Sequence, residues 1–472
     1  MIDSISSLMT VSQAPTVWVH VSSLMKWDRP PVGILRVEQE YCRWLVESSS
    51  PVKFGRIRFC ESVSGERRFT EVSLERVRAK LQATGSGATS TSPTLIARFK
   101  HRIRSLLPYL PAPAVARLRK ARTRILRAIA FSASPWRLIA PMPTAPIEVG
   151  DHWVSLGLDW LYLDQPWFHG FKKVMELRTT TMCYDVIPLL FPQFVLQPPQ
   201  GFGTYLACLT EYSDMVLCIS RHTQQDYERA VKKMALDVPP TRVVTLGADI
   251  PDSVGAAACP AGFGREGDDR PYVMFVSTIE RRKNHALLYQ AWARMRDEGF
   301  EPYRLIFVGR RGYGVGELLN DIALDPRTQR DIQILDHVTD AELLWLYRNA
   351  AFTVYPSLYE GWGLPVVESL CHGKFCLAAT GSSLSEAGGD WAEYIDPLDV
   401  VGWARRLRYY MEHPDEIQLR NGHIGSQLRP TMWTDTCEQI HAAVRVAGSL
   451  PRRRPASAAA EAPAKTAVTT SD

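Results

Sequence analysis

Short apolar runs alternate with amphipathic helical patterns after residue 260. Strands that alternate with helices predict a parallel sheet covered by helices on both faces. Ligands of such sheets bind outside the carboxyl ends of the strands, so the loops there are the first place to search for a site. The predicted strands read YVMFVS, YRLIFVG, IQILD, AFTVYPS and FCLAAT. The predicted helices cover His285–Met295, a segment from Val315, Asp340–Asn349 and a segment from Leu364 or Pro365.

The first 260 residues repeat this organisation less regularly. A strand at Thr16–Ser22 leads through a Gly33 loop into a helix at Leu35–Val46, and later strands read TTTMCYDVIPLL, MVLCIS and TRVVTLG. Ser220 stands where a helix N-cap is expected. A polar stretch at 252–270 is the predicted linker between two domains. A chain of 472 residues is too long for one hydrophobic core and suits two domains.

The predicted domains follow from these boundaries. They are an N-terminal domain at 1–260 with a basic insertion at about 83–147, a C-terminal domain at 261–430, a helix at 431–450 that returns to the N-terminal domain, and a disordered tail at 451–472.

Composition indicates an ordinary folded protein, with 46% hydrophobic and 22% charged residues. The nine cysteines are odd in number and include no CxxC pair, which favours a reducing compartment. The N-terminus does not read as a secretory signal, and the most apolar stretch, near 128–142, is interrupted by Pro135 and Arg137. We therefore predict a cytoplasmic protein without a membrane span.

Positive charge is concentrated in one segment, since Arg76–Ile147 contains fourteen Lys or Arg and no Asp or Glu. Within it, residues 98–137 mix apolar and cationic side chains at near-helical spacing. This pattern predicts peripheral contact with an anionic membrane surface on its inner face. A solvated helical hairpin explains it equally well. Nucleic-acid binding is not predicted, because no recognition fold accompanies the charge.

The most specific motif is YEGWGLPVVES, in which Glu360 and Glu368 flank a glycine-rich turn that opens a helix. Gly361 and Gly363 let the backbone pass close to a ligand, and the free amides of the helix start suit a phosphate. Glu368 could accept hydrogen bonds from a ribose diol, while Glu360 would lie beside a transferred sugar. The alternative is a surface turn with solvated acids.

A second motif, STIERRKNH, places Arg282 and Lys283 after a buried strand. Two cations there can hold a diphosphate and neutralise the charge that develops as it leaves. The alternative is a basic helix start, although cations at that end oppose the helix dipole. A third stretch, GRRGYGVGELL from Gly309, lacks the G-x-G-x-x-G spacing and is interpreted as a turn lining the donor cleft.

The two main motifs, about eighty residues apart, resemble those of retaining glycosyltransferase family 4, the group 1 transferases. Further similar segments are SSLSEAGGDWAEYIDP, YDVIPLLFP, CISRHTQQD and PVGILRVEQEY. The resemblance implies an α/β protein of the GT-B type, in which two Rossmann-like domains face each other across a donor-binding cleft.

By position, the resemblance also implies roles for individual residues. The catalytic candidates are Glu360, Lys283 and Arg282. The donor-binding candidates are Glu368, Gly361, Trp362, Gly363, Leu364, Gly33 and Gly309. On the acceptor or sugar side are Tyr184 and Asp185. Two positions depart from the family: Tyr184 stands where many members have His, and Trp362 replaces the usual Phe.

The implied reaction moves a hexose from a nucleotide diphosphate donor to a glycan or polyprenyl diphosphate-linked acceptor in surface polysaccharide synthesis. By family analogy the donor is GDP-mannose, and retention proceeds by front-face substitution without a protein nucleophile. No cofactor or metal is predicted, because the sequence offers neither a DxD-like acid pair in a suitable loop nor a zinc-spaced His/Cys cluster. The alternatives are a nucleotide-sugar epimerase on the same fold and a non-catalytic nucleotide-sugar-binding protein.

Overall fold

The structure is a computed structural model, and it describes residues 15–27, 33–48, 56–63, 66–85, 144–195, 200–249, 256–264 and 268–451. The basic segment 98–137, for which membrane contact is predicted, lies outside these ranges. All but the first residue of the tail predicted at 451–472 also lies outside them. Within the described ranges, no helix is both long enough and apolar enough to cross a bilayer.

The N-terminal part forms a seven-stranded sheet in the order β3-β2-β1-β4-β5-β6-β7, in which only the β2–β3 pair is antiparallel. Its strands are Val17–His20 (β1), Ile57–Ser62 (β2), Phe69–Val72 (β3), His152–Ser155 (β4), Arg178–Cys183 (β5), Met215–Cys218 (β6) and Thr241–Val243 (β7). Its described helices are Ser22–Lys26 (α1), Ile34–Glu47 (α2), Leu74–Gly85 (α3), Asp159–Tyr162 (α4), Gln165–Val174 (α5), Ile187–Leu190 (α6), Gln200–Tyr212 (α7) and Arg221–Lys233 (α8).

The C-terminal part forms a six-stranded parallel sheet in the order β10-β9-β8-β11-β12-β13. Its strands are Tyr272–Val276 (β8), Arg304–Val308 (β9), Ile332–Leu335 (β10), Phe352–Tyr355 (β11), Cys376–Ala379 (β12) and Ala392–Ile395 (β13). The helices are His285–Asp297 (α9), Gly316–Leu324 (α10), Asp340–Asn349 (α11), Leu364–Cys371 (α12), Leu384–Gly388 (α13), Val400–Glu412 (α14), Pro414–Gln427 (α15) and Trp433–Ser449 (α16). Short 3-10 turns cover Pro192–Phe194, Arg281–Lys283 and Gly389–Trp391.

The apolar runs of the sequence become the buried strands of these sheets. Every residue of β9 is buried, as expected for a strand that is covered on both faces. Ser220 acts as the predicted N-cap, because its hydroxyl accepts a hydrogen bond from the Thr223 amide at 2.9 Å. The predicted strand TTTMCYDVIPLL ends early, at Cys183, and Pro188 lies in the first turn of the short helix α6 instead.

The last helix of the described chain, α16, packs against the N-terminal sheet. The Thr436 hydroxyl donates to the Thr245 carbonyl at 2.9 Å and accepts from the Gly247 amide at 2.7 Å. The Asp249 carboxylate accepts from the Trp433 amide at 2.6 Å. Buried side chains of α16 belong to the same apolar cluster as those of β1 and α2. The chain therefore returns to its N-terminal part after completing the C-terminal sheet.

Candidate active site

Two loops meet at the carboxyl edge of the C-terminal sheet, where the strand order reverses between β8 and β11. The loop after β8 carries Arg282 and Lys283, and the loop after β11 carries Glu360. Backbone contacts join them, because the Leu358 amide donates to the Arg282 carbonyl at 2.9 Å. The Asn284 side chain donates to the carbonyls of Pro356, after β11, at 3.1 Å and of Pro397, after β13, at 2.8 Å. This reversal point is the usual ligand position in open α/β sheets.

Glu360 is the centre of a buried charged cluster, with only 6% of its surface exposed. Lys283 Nζ lies 2.6 Å from Oε1, Arg282 Nη1 lies 2.7 Å from Oε2, and the Ser357 hydroxyl donates to Oε1 at 2.5 Å. Tyr355 accepts a second hydrogen bond from Lys283 at 2.8 Å. Burial alone would raise the pKa of Glu360, but the two cations and the hydrogen bonds lower it to about 2. The carboxylate is therefore ionised at neutral pH.

Glu368 lies on α12, 9% exposed. The Tyr347 hydroxyl donates to its Oε2 at 3.0 Å, and Arg36 from the N-terminal part places Nη1 3.9 Å from its Oε1. Burial raises the pKa of this carboxyl, and the charge of Arg36 opposes the shift. The structure thus brings the predicted ribose acid next to a cation from the other sheet.

The glutamate motif, YEGWGLPVVES at residues 359–369, packs directly against the N-terminal part. A Cβ at Gly361 would lie 2.4 Å from the Tyr184 carbonyl oxygen, so only glycine fits there. The Gly361 carbonyl accepts hydrogen bonds from the hydroxyls of Ser220 at 2.8 Å and Thr223 at 3.0 Å. The next residue, Trp362, is 8% exposed and packs in the apolar cluster of the N-terminal sheet. The motif is therefore part of the contact surface between the two parts of the chain.

The remaining turn residues of this motif open α12. Gly363 has φ +115°, a conformation that favours glycine, and a Cβ there would lie 2.7 Å from the Leu384 side chain. Leu364 begins the helix and packs on the N-terminal apolar cluster. Close approach to the Tyr184 backbone explains Gly361, and the positive φ explains Gly363.

Of the two residues predicted on the sugar side, one faces the charged cluster. The Tyr184 hydroxyl donates to the Leu156 carbonyl, so this side chain points into the N-terminal sheet. Asp185 accepts from the Ile187 amide at 3.0 Å. Burial raises the pKa of Asp185, and the positive charge of Arg282 on the opposite loop only partly opposes this shift. Asp185 is therefore in electrostatic contact with the site.

The two remaining predicted glycines differ in their surroundings. Gly33 has φ +55°, precedes α2, and would place a Cβ in open space with no atom within 4 Å. Gly309 has φ +148°, and a Cβ there would lie 2.1 Å from the Ser277 carbonyl oxygen. Gly309 thus allows the loop after β9 to pack against the loop that carries Arg282 and Lys283.

Glu386 is a contact that the sequence analysis did not identify. Its carboxylate accepts hydrogen bonds from the amides of Arg221 at 2.8 Å and His222 at 2.7 Å, at the start of α8 in the N-terminal part. Free amides at a helix start attract a carboxylate. The N-cap Ser220 marks these amides in the sequence, but no spacing shows that their partner comes from the other sheet.

Tyr359 adds to this contact, because its hydroxyl bonds with His222 at 2.7 Å and donates to Asp226. Its backbone carbonyl accepts from Arg282 Nη1 at 2.6 Å. Tyr359 therefore connects α8 with the charged cluster.

A second polar cluster, also not predicted, lies at the carboxyl ends of β1, β2 and β4. Within it, His20 bonds with Asp159 at 3.1 Å through Nδ1 and with the hydroxyls of Ser22 and Ser62, both at 2.8 Å, through Nε2. All four residues are buried and mutually bonded, which is how buried polar groups are normally satisfied. In the part of the chain that the structure describes, no group of three or more His, Cys, Asp or Glu is arranged to hold a metal ion.

Residues 263–422 match the model of the family described as glycosyl transferases group 1. We call the C-terminal domain, residues 261–430, the group 1 domain after this match. The match covers β8 through most of α15, and it includes Arg282, Lys283, Glu360 and Glu368. The resemblance of the two motifs to the group 1 transferases is confirmed.

Two similar relatives are mannosyltransferases of Escherichia coli. The serotype-specific mannosyltransferase WbdA is 28% identical over 195 residues, which is 39% of this chain and 24% of the relative. The O-antigen chain mannosyltransferase B is 36% identical over 168 residues, or 36% of this chain and 44% of the relative. The chain thus matches less than half the length of either relative.

Solved structures establish the fold around the group 1 domain. HepE of Anabaena, crystallised with UDP-glucose, has a TM-score of 0.54 at 13% identity, covering 92% of this chain and 100% of HepE. Sucrose-phosphate synthase of Thermosynechococcus elongatus has a TM-score of 0.51 at 15% identity, covering 92% and 96%. The predicted GT-B fold is confirmed.

The contact between Glu386 of the group 1 domain and α8 leads to a prediction about domain closure. Replacing Glu386 with alanine removes two charge-assisted hydrogen bonds at an exposed position, which together contribute about 1 kcal/mol. We expect the ratio of closed to open molecules to fall about fivefold. Small-angle X-ray scattering should then show a larger radius of gyration. Asp390→Asn, an exposed acid nearby, is the control, and equal scattering from both variants would contradict the assignment.

Proposed function

We propose that this chain is a retaining glycosyltransferase that moves a hexose from a nucleotide diphosphate donor to a glycan or lipid-linked glycan. The observation that carries the proposal is the buried cluster of Arg282, Lys283 and Glu360 at the strand-order reversal, with Glu368 on the helix that follows. Such a cluster offers paired cations for a diphosphate, an acid for sugar hydroxyls and a second acid for a ribose.

The proposed reaction exchanges one bond at the anomeric carbon for another on the same face. The bond from that carbon to the donor phosphate oxygen breaks, and its electron pair stays with the departing diphosphate. The acceptor oxygen forms the new bond, and its proton passes to an oxygen of the departing phosphate. Arg282 and Lys283 would neutralise the growing negative charge, which is the largest contribution that a preorganised site makes to such reactions.

For the donor we propose GDP-mannose, and for the product a surface polysaccharide. The support is that the two relatives described above are named mannosyltransferases, one of them for the O-antigen chain. Reaction at a membrane surface through residues 98–137, and with it a polyprenyl diphosphate-linked acceptor, stays a prediction from the sequence. So do a cytoplasmic location and a reaction without metal or cofactor.

The two alternative functions have less support. The family match and the relatives are transferases, and no similarity favours a nucleotide-sugar epimerase. A non-catalytic binding protein would use the same cluster to hold a nucleotide sugar, and it would be stabilised by the donor without hydrolysing or transferring the sugar. Incubation with the donor alone distinguishes an epimerase from a transferase. An epimerase converts the sugar, whereas a transferase at most hydrolyses the donor slowly.

The proposal is tested by a thermal-shift and hydrolysis screen across UDP, GDP and dTDP sugars. We expect GDP-mannose to stabilise the chain and to be hydrolysed slowly. Glu368→Gln should weaken donor binding about tenfold, because a neutral amide accepts hydroxyl hydrogen bonds less strongly than a carboxylate does. The proposal fails if no sugar nucleotide stabilises the wild-type chain, or if Glu368→Gln responds as the wild type does.

A further inference from the structure

Arg36, in the first turn of α2, contacts three segments that are distant in sequence. Its Nη2 donates to the Asp249 carbonyl at 2.9 Å, and its guanidinium carbon lies 5.6 Å from the centre of the Trp433 ring. Its Nη1 lies 3.9 Å from Glu368 Oε1. The side chain is 14% exposed. Its Nε also lies 4.0 Å from Glu40 Oε1 on the same helix. A long cation held by these four partners has a fixed position, unlike a solvated surface arginine.

Two of these partners mark the places where the chain crosses between the domains. Asp249 precedes the predicted linker into the group 1 domain, and Trp433 begins α16, which returns from that domain. The two are joined by the hydrogen bond between the Trp433 amide and the Asp249 carboxylate. Arg36 is therefore held by the two segments that connect the domains. The distance between Arg36 and Glu368 consequently depends on how the domains are arranged.

The distance of 3.9 Å between Arg36 Nη1 and Glu368 Oε1 shows whether Arg36 acts through a hydrogen bond or through its charge. It is too long for a hydrogen bond, but it is short enough for a strong charge interaction in a poorly solvated place. Glu368 Oε2 already accepts from Tyr347, whereas no hydrogen bond to Oε1 occurs among the described residues. Arg36 thus stabilises the charge of the carboxylate without using the oxygen that a ligand hydroxyl would need.

We propose that Arg36 is a positioning residue for the nucleoside end of the donor, which keeps Glu368 charged and free to accept the ribose diol. Because Arg36 belongs to the N-terminal domain, this arrangement makes ribose recognition depend on domain closure. The inference rests on the proposed function. It adds that the N-terminal domain takes part in recognition of the ribose.

The charges around Glu368 determine the expected pH dependence. The groups that act on this carboxylate from the surrounding elements are Arg36, Tyr347, Asp340, Cys371 and Tyr355. Burial raises the pKa of Glu368, and Arg36 is the cation that opposes it. Nucleotide binding that needs the carboxylate is present above this pKa and is lost as pH falls through it. Without Arg36 the pKa rises further, so the loss should begin at a higher pH.

The test measures the affinity of the full chain for GDP and UDP, each beside its 2′-deoxy counterpart, from pH 5 to pH 9. Whichever of GDP and UDP binds the wild type more tightly, we expect Arg36→Met to lose its binding at a higher pH than the wild type does. The difference in affinity should approach about tenfold at pH values below the pKa of Glu368 and shrink above it, because below the pKa a shift of one pKa unit is a tenfold change in the charged fraction. The 2′-deoxy nucleotide, which keeps only the 3′-hydroxyl of the diol, should lose less. Arg36→Lys, which keeps the charge, should recover the wild-type pH profile in part.

Further variants distinguish this role from a structural one. Arg36→Met should add nothing to the loss caused by Glu368→Gln, because both act on the same carboxylate. Arg43→Met, on the same helix and paired with Glu40, is the matched control. Equal losses for the ribose and 2′-deoxy nucleotides, or a wild-type pH profile in Arg36→Met, would overturn the inference alone. Absence of binding by the wild-type chain would overturn the proposed function as well.

Discussion

Lys283→Ala is expected to lower the rate of glycosyl transfer by about 100- to 1,000-fold, the usual effect of removing one preorganised group that stabilises developing charge. Lys283 lies 2.6 Å from Glu360 and is the only lysine in this cluster of described residues. Removing it leaves Arg282 as the only cation paired with Glu360 among the described residues, and so halves the positive charge proposed for the leaving diphosphate. The rate should be measured under saturating donor and acceptor, so that kcat is separated from KM.

Arg281→Ala is the matched control for this variant, because Arg281 lies in the same 3-10 turn but is exposed. We expect it to keep its rate within about threefold, since exposed charges contribute little. Thermal unfolding should be recorded for both variants to exclude a folding defect. If Lys283→Ala retained more than a tenth of the wild-type kcat, the role given to this lysine would be wrong.

Of the variants proposed, Glu360→Gln should cause the largest loss of folding stability. The variant keeps the shape of the side chain but leaves Arg282 and Lys283 without their negative partner in a buried place. Removing one member of a buried ion pair costs about 3–5 kcal/mol. We therefore expect the free energy of unfolding in urea to fall by that amount at neutral pH.

The difference between wild type and Glu360→Gln should depend on pH with a definite sign. The pKa of Glu360 is lowered to about 2, so its contribution to stability is complete above the pKa of the unfolded chain. That contribution is lost as pH falls from about 5 towards 2, where the carboxylate becomes protonated. Glu280→Gln, which removes an outer partner of Arg282 at 3.1 Å, is the control. A pH-independent difference would contradict the assignment of charge to Glu360.

The charged cluster could be predicted from the sequence because simple rules connect its members. Lys283 and Glu360 are far apart in the chain, but each follows a buried strand of a parallel sheet. Strands β8 and β11 are neighbours in the sheet, which brings their carboxyl ends together. The glycines of the glutamate motif were also informative, since the Gly361 backbone passes so close to Tyr184 that no side chain fits.

Contacts between the domains were not predictable in the same way. Arg36 and Glu386 lie on pieces of chain that resemble the family, yet nothing in their spacing indicates which residue of the other domain they meet. Tyr184 illustrates the same limit, because its identity was visible but its direction, towards the Leu156 carbonyl, depends on the packed sheet. Strands β3 (FTEV), β4 (HWVS) and β13 (AEYI) were not predicted, because polar residues interrupt each of these four-residue segments and no apolar run marks it.

The position of α16 has a consequence for the order of folding during synthesis. Trp433, Cys437 and Ile440 complete the apolar cluster around β1 and α2, although they are made more than 380 residues later. The N-terminal domain therefore emerges from the ribosome with part of its interior exposed, while the group 1 domain has all its strands before α16 appears. Chains that stop before residue 433 should consequently be substrates for chaperones and proteases at the N-terminal domain rather than at the group 1 domain.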